Sequence, residues 1–258
     1  MRRDHQRRRL LKSDLHNAIE NEELEVHYQP IRAIASGDIL AFEALLRWSH
    51  PKLGHVPPAE FIPLAEETGA IEPLGLWVLR TACIQAMQWP ERIKLAVNIS
   101  PVQLHAETLP TQVASVLDQT KLPGSRLDLE ITEGQSIDSI ARVQRNTTLL
   151  KQFGISIVLD DFGSGNSSLS HLCQLPVDQL KLDISLIRNI AEDSKSRTIV
   201  NAAVALAHTL KLAIVAEGIE TEPQLACLRT LDCDAAQGLL LGRPTEAANV
   251  ASLIAAIS

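Results

Sequence analysis

The 258-residue sequence predicts an α/β fold, a (β/α)8 barrel whose first strand runs antiparallel to the others. Three observations carry this. Strand-like and helix-like segments alternate along the chain, a pattern that puts helices outside a parallel sheet. Eight strand-like segments in this length match the bookkeeping of a closed eight-stranded barrel. The first two are joined only by "RAIASGD", which is too short for a helical crossover and reads as a hairpin turn.

The expected strands are 25–31 (EVHYQPI), 40–48 (LAFEALLRW), 94–100 (KLAVNIS) and 126–132 (RLDLEIT), then 155–161 (ISIVLDD), 179–184 (QLKLDI), 212–218 (LAIVAEG) and 235–242 (AAQGLLLG). Apolar residues at helical spacing predict two helices between Pro58 and Trp89, and one each in 109–120, 136–154, 194–210 and 221–231. Pro, Thr or Ser stands near several of the starts, as helix N-termini prefer.

The apolar fraction of 45% and charged fraction of 21% are those of a globular domain. No apolar run reaches the ~20 residues of a membrane span, and no secretory signal follows the basic start. The net charge of −7 is uneven, because "MRRDHQRRRLLK" is strongly basic and the remainder acidic. A solvated helix or linker end explains the basic run better than nucleic acid does, and the acidic body is unsuited to tracking a phosphate backbone. Residues 1–20 read as a lead helix and 21–258 as the barrel. Cys83, Cys173, Cys227 and Cys233 have no zinc-ligand spacing and read as reduced, mostly buried residues of a cytoplasmic protein. His50 and His55 flank a Pro/Gly loop and read as solvated rather than as a metal pair.

The strand ends carry the chemistry. Glu43, Asn98, Glu130, Asp160, Asp161, Lys181 and Glu217 lie at or near the C-terminal ends of their strands, with Gln237 on the last. These ends converge on the face that holds a barrel's active site. Five carboxylates in one bowl must bind protons or a cation, and an oxygen-rich set with an Asn suits Mg²⁺ or Mn²⁺. Successive residues of a regular strand face opposite sides. Asp160 and Asp161 therefore share a site only if the chain leaves strand geometry there, which Gly163 and Gly165 make easy. One of the pair could then bridge two ions, and two ions ~3.5–4 Å apart form a hydrolytic centre for phosphate esters. Lys181, charged among acids, reads either as an aid to the attacking water or as a salt-bridge partner.

The motifs "FEALLRW", "VNIS", "LEITE", "LDDFGSG", "KLD", "EGIE" and "QGLLLGRP" occur in the order found in the EAL domain, and the chain resembles that family from about residue 12 onward. The resemblance implies a TIM-like barrel with an antiparallel first strand that hydrolyses one phosphodiester of cyclic di-GMP to linear pGpG, with two Mg²⁺ or Mn²⁺ ions per active site. It implies metal ligands at Glu43, Asn98, Glu130, Asp160, Asp161 and Glu217, a catalytic lysine at Lys181, and a loop-steadying glutamate at Glu133. Gln29, Leu46, Arg47, Asp183, Glu220 and Gln237 stand where the family contacts the dinucleotide. The resemblance also implies a homodimer through the 162–175 region and an upstream sensory or cyclase-like domain, and it is compatible with a membrane-anchored parent. Asn166, His171, Ile184, Leu186, Leu239 and Leu241 depart from frequent family residues, which bears on guanine stacking and dimer geometry. A catalytically silent cyclic di-GMP receptor or interaction module is the alternative reading. Enolase-like proton abstraction is a third, disfavoured because the chain has no room for a capping domain.

Overall fold

The computed structural model describes residues 2–132, 140–164, 172 and 174–256. Eight strands close into a mixed barrel: β1 (Leu24–Ala33), β2 (Ile39–His50), β4 (Lys94–Ile99), β5 (Leu127–Thr132), β6 (Ser156–Phe162), β7 (Gln179–Leu182), β8 (Ala213–Ala216) and β9 (Ala235–Ala236). β1 pairs antiparallel with both neighbours, β2 and β9, and the remaining pairs around the ring are parallel. All eight expected strands are present. The last is far shorter than 235–242, because the backbone after Ala236 folds over the end of β8: Ile219 N–H donates to Gln237 O and Leu240 N–H to Ile219 O. Two short additions, β3 (Gly54–Val56) and β10 (Thr245–Glu246), extend β2 and β1 at the edges.

The alternation of side chains separates two interiors. Outward residues such as Phe42, Leu95, Leu129, Leu159, Leu180 and Ile214 join the main core beneath the helices. Inward residues Ile31, Ala41, Ala96, Val215 and Ala235 form a separate buried cluster inside the barrel. Small side chains suit that narrow layer, and they close the barrel below the polar residues two positions away on the same five strands, after them on the parallel strands and before Ile31 on β1.

The helices follow the expected segments: α2 (Pro58–Thr68), α3 (Ile71–Ala86), α5 (Leu109–Thr120), α6 (Ile140–Gln152), α8 (Ser194–Thr209) and α9 (Glu222–Thr230). Short α4 (Pro101–His105) and α7 (Ile184–Ile187), and the C-terminal α10 (Ala247–Ala255), were not anticipated. α4 and α9 begin with capping boxes, Ser100/Gln103 and Thr221/Gln224, each satisfying two otherwise orphaned backbone donors. α2 ends on Gly69 in the left-handed region, whose N–H returns to Glu66 O.

The basic N-terminal segment forms α1 (Arg2–Leu15), which lies against α2. Arg7 pairs with Glu60, and Arg8 and Lys12 pair with Glu67. Leu11 and Leu15 are buried with Trp48, Phe61 and Leu64 in a second core cluster. The run is therefore not solvated all round, because its apolar stripe has a partner. His50 is not solvated either. Its ring is buried 3.2 Å from Asp14 and beside Trp48, while Nδ1 accepts from Lys52 N–H. Cys83, Cys227 and Cys233 are free thiols, the first and last buried, with burial pushing both up to about 12. No helix among the described residues is long and apolar enough to cross a membrane.

Because Leu11 is fully buried, Leu11→Ala is expected to cost about 2–5 kcal/mol in urea denaturation, the range for truncating a core leucine. A cost near zero would mean that α1 is a detachable lead.

Candidate active site: a bowl of carboxylates around Lys181

Each barrel strand delivers one polar side chain to the same end of the barrel. Going round, these are Gln29, Glu43, Asn98, Glu130, Asp160, Lys181, Glu217 and Gln237. The strand register explains the convergence: Gln29 pairs with Glu43, Asn98 with Glu130, and Thr132 with Asp160. Five lie two residues from a member of the small inner cluster, so they share its inward direction.

Lys181 occupies the centre and is fully buried. Its Nζ lies 2.6 Å from Glu217 Oε1, 3.0 Å from Glu130, 3.6 Å from Asp160 Oδ1 and 3.7 Å from Glu43 Oε2. Burial would lower its pKa, but Glu130, Glu43, Glu217 and Asp160 overcome that and hold the ammonium well above the ordinary lysine range. Asn98 donates to Glu43 Oε1 at 2.7 Å and Gln237 to Glu43 Oε2 at 2.6 Å. Gln237 also donates to Gln29 Oε1, and Gln29 in turn to Gly242 O. Burial alone would raise the Glu43 pKa, yet Lys181 and these two amide donors lower it below the usual carboxylate range. Glu43 is thus a fixed anion.

The other acids are under-compensated. Burial, with the repulsion of neighbouring carboxylates, raises Asp160 and Asp161, drives Glu130 well above its ordinary value and lifts Glu217 to about 7. Glu130 Oε1 is buried and lies 3.0 Å from the Lys181 ammonium. Asp160, Asp161 and Glu217 each offer an oxygen within 4.8 Å of the others. A single ammonium is shared among these carboxylates. Those residues fit a divalent cation, which supplies the missing charge.

The backbone leaves strand geometry where the sequence suggested. Asp161 has φ +58°, β6 pairs irregularly with β7 between Leu159 and Phe162, and Asp161 N–H donates to Asp160 Oδ1 at 2.8 Å. This bulge lets two consecutive side chains serve one site.

Two cavities flank the bowl. One, about 430 Å³, is lined by Gln29, Glu43, Asp160, Glu217, Glu220 and Leu239. The other, about 400 Å³, is lined by Leu46, Arg47, Asn98, Pro58, Ile62 and Glu66 among others. Both are in the size range of small-molecule sites. Of the residues anticipated for the dinucleotide, Gln29, Leu46, Arg47, Glu220 and Gln237 line these cavities. Asp183 instead caps α7, accepting from Ser185 N–H. Glu133, Gly165, Asn166, His171 and most of the 162–175 segment lie outside the described residues. The α2 wall, Pro58, Ile62 and Glu66, was missed. Helical period marks that face as apolar, but nothing in the pattern says that it borders a cavity.

A family model for the EAL domain matches residues 12–244. This chain belongs to the EAL domain family. It is 42% identical over 94% of its length to the bifunctional diguanylate cyclase/cyclic di-GMP phosphodiesterase MucR of Pseudomonas aeruginosa, covering 36% of that protein. It is 37% identical over 92% of its length to the cyclic di-GMP phosphodiesterase PdeR of Escherichia coli, again covering 36%. The solved phosphodiesterase domain of MucR, in complex with c-di-GMP, superposes with a TM-score of 0.88 over 93% of this chain and 99% of that one. The chain spans about a third of the length of the curated relatives it matches, which are larger, multidomain proteins.

Two outcomes are expected of the cation-free protein. With Glu217 raised to about 7 from the ordinary 4.5, the folded state holds the proton more tightly than the unfolded one. Stability from that group is present below pH ~4.5 and lost as pH rises through about 7. The melting temperature should therefore fall between pH 5 and 8, and Mn²⁺ should raise it more at pH 8 than at pH 6. Equal Mn²⁺ shifts at both values would contradict this. Lys181→Met should destabilise the cation-free protein by about 3–5 kcal/mol in denaturant titration, because it leaves buried carboxylates without a counter-charge. Unchanged stability would mean that the ion pairs are not holding the bowl.

Proposed function

We propose that the chain hydrolyses one phosphodiester bond of cyclic di-GMP to linear 5′-pGpG with two Mg²⁺ or Mn²⁺ ions in the bowl. The observation that carries this reading is the under-compensated carboxylate bowl between two cavities: a charged centre for a phosphate with room on each side for a nucleoside. Membership of a family with cyclic di-GMP phosphodiesterases supports cyclic di-GMP as the substrate.

Glu43, Asn98, Glu130, Asp160, Asp161 and Glu217 would hold the ions. The bound ions would ionise a water and offset the charge that develops on the phosphoryl group. The chain's own groups do the rest. Asn98 and Gln237 lock both oxygens of Glu43, so its orientation does not have to be set during the reaction. Lys181 keeps its positive charge in the floor, where it orients the attacking water and opposes the extra negative charge of the transition state. Arg47, at the wall of the second cavity, presents a planar fork suited to a phosphate. Gln29, Glu220 and Gln237 offer polar contacts to one nucleoside, and Leu46 packs against the other. For the product to carry a 5′-phosphate, water must add to phosphorus and the bond to the 3′ oxygen must break, with that oxygen leaving protonated.

Chromatography of cyclic di-GMP incubated with the protein should show pGpG only when Mg²⁺ or Mn²⁺ is present. Removing a ligand should cost at least the ~100-fold seen at the upper end for outer partners of metal sites, so Glu43→Ala should lose that much in kcat, and Lys181→Ala, which removes the group that orients the water, should lose about 100-fold or more. Saturable cyclic di-GMP binding without product would make the domain a receptor instead.

A further inference from the structure

We infer that Gln224, outside the bowl, is a positioning residue: through the turn at 184–188 it fixes the spacing between the Asp160–Asp161 pair and Glu217. The inference rests on the cation reading of the site.

The ends of β6, β7 and β8 meet beside the bowl. Asp183 N–H donates to Phe162 O at 3.1 Å, and Glu217 N–H donates to Leu182 O at 3.1 Å, so the backbone leaving β7 touches both carboxylate-bearing neighbours. α7 then lies over the residues that follow them. A Cβ at Gly163 would sit 2.3 Å from Leu186 Cδ1, and one at Gly218 would sit 2.2 Å from Ile184 Cγ1. Both glycines have positive φ, +95° and +71°. α7 is therefore a wedge seated on two glycines, one two residues after Asp161 and the other directly after Glu217. A shift of the wedge moves one strand end relative to the other.

Four residues of helix cannot hold such a wedge by themselves. Its far end is tied by Gln224. Gln224 Oε1 accepts from Glu220 N–H at 2.9 Å and Thr221 N–H at 3.0 Å, while Nε2 donates to Arg188 O at 3.2 Å. Capping α9 needs only a bond to the Thr221 N–H. The bond to Arg188 is surplus to capping. It closes a ring from the wedge through Gln224 to the 217–220 segment. The amide is buried, so an unmade bond there would go uncompensated.

Two variants separate positioning from capping. Gln224→Glu keeps an acceptor for Glu220 and Thr221 and loses the donation to Arg188. Its added negative charge would by itself tighten cation binding, so weaker binding cannot come from charge. Thr221→Ala removes the capping hydroxyl and leaves the Arg188 bond. Mn²⁺ titration by electron paramagnetic resonance at pH 8 on the full chain, with melting temperatures and amide exchange at 186–188, reads all of this. Gln224→Glu should bind Mn²⁺ about tenfold more weakly, the lower end for outer partners of metal sites, with faster exchange at 186–188. Thr221→Ala should bind as the wild type does despite a lower melting temperature. Leu186→Ala, which trims the wedge and spares Gln224, should weaken Mn²⁺ binding similarly and serves if Gln224→Glu does not fold. Wild-type affinity in both Gln224→Glu and Leu186→Ala, or equal weakening in Thr221→Ala, overturns the inference. A wild type that binds no Mn²⁺ overturns the cation reading, and the inference falls with it.

Discussion

The structure depends on one geometric constraint, the two-residue period of strands closed into a ring. Alternate side chains on each strand face the barrel interior, and at one level all eight inward positions are polar or charged. Two residues along, the inward positions that form the small cluster are Ile, Ala or Val. The same backbone thus presents a charged layer and an apolar floor a few ångströms apart. The floor keeps water out from below, so every charge in the layer must be answered by another side chain, a proton or a cation. The antiparallel first strand serves the same end. Reversing β1 brings Gln29 into register with Glu43, and the Gln29–Gln237–Glu43 chain of amides then orients the first carboxylate.

Within the charged layer, stability and function pull apart. Lys181 touches four carboxylates and cannot neutralise them all. Some of the acids bind protons more readily than they would in water. A fold selected for stability alone would exchange these groups for apolar ones, since buried ion pairs rarely outweigh their desolvation. The excess of acid makes sense as a place prepared for positive charge from outside. The bulge at Asp161 belongs to the same design: a non-glycine residue in the left-handed region is costly, and here it brings a second carboxylate into the bowl.

Much of this was legible in the sequence because strand patterns and strand ends are local. The alternation of strand-like and helix-like segments marked the eight strands, the seven-residue connector marked the hairpin, and the acidic ends marked the bowl, with Gly163 announcing the departure from strand geometry at Asp161. What was not legible depends on contacts distant in sequence. α1 read as a basic, solvated lead, because Leu11 and Leu15 are too few to reveal the partner surface formed by Trp48, Phe61 and Leu64. His50 read as a loop residue because its partner Asp14 is 36 positions away. The last strand read as eight residues because its apolar run continues, although the backbone turns over β8 after two. Gln224 carried no signal in the sequence, and only the position of Arg188 O reveals its bond outside the helix cap.

The claim that the bowl is built around divalent cations is tested most directly by diffraction at the manganese absorption edge from crystals grown with Mn²⁺. The account predicts two anomalous peaks, one within coordination distance of Asp160, Asp161 and Glu217 and the other completed from Glu43, Asn98 and Glu130, with the Lys181 ammonium outside both coordination shells. An empty bowl with Lys181 still paired to Glu130 and Glu217, at Mn²⁺ concentrations that label other sites, would contradict it.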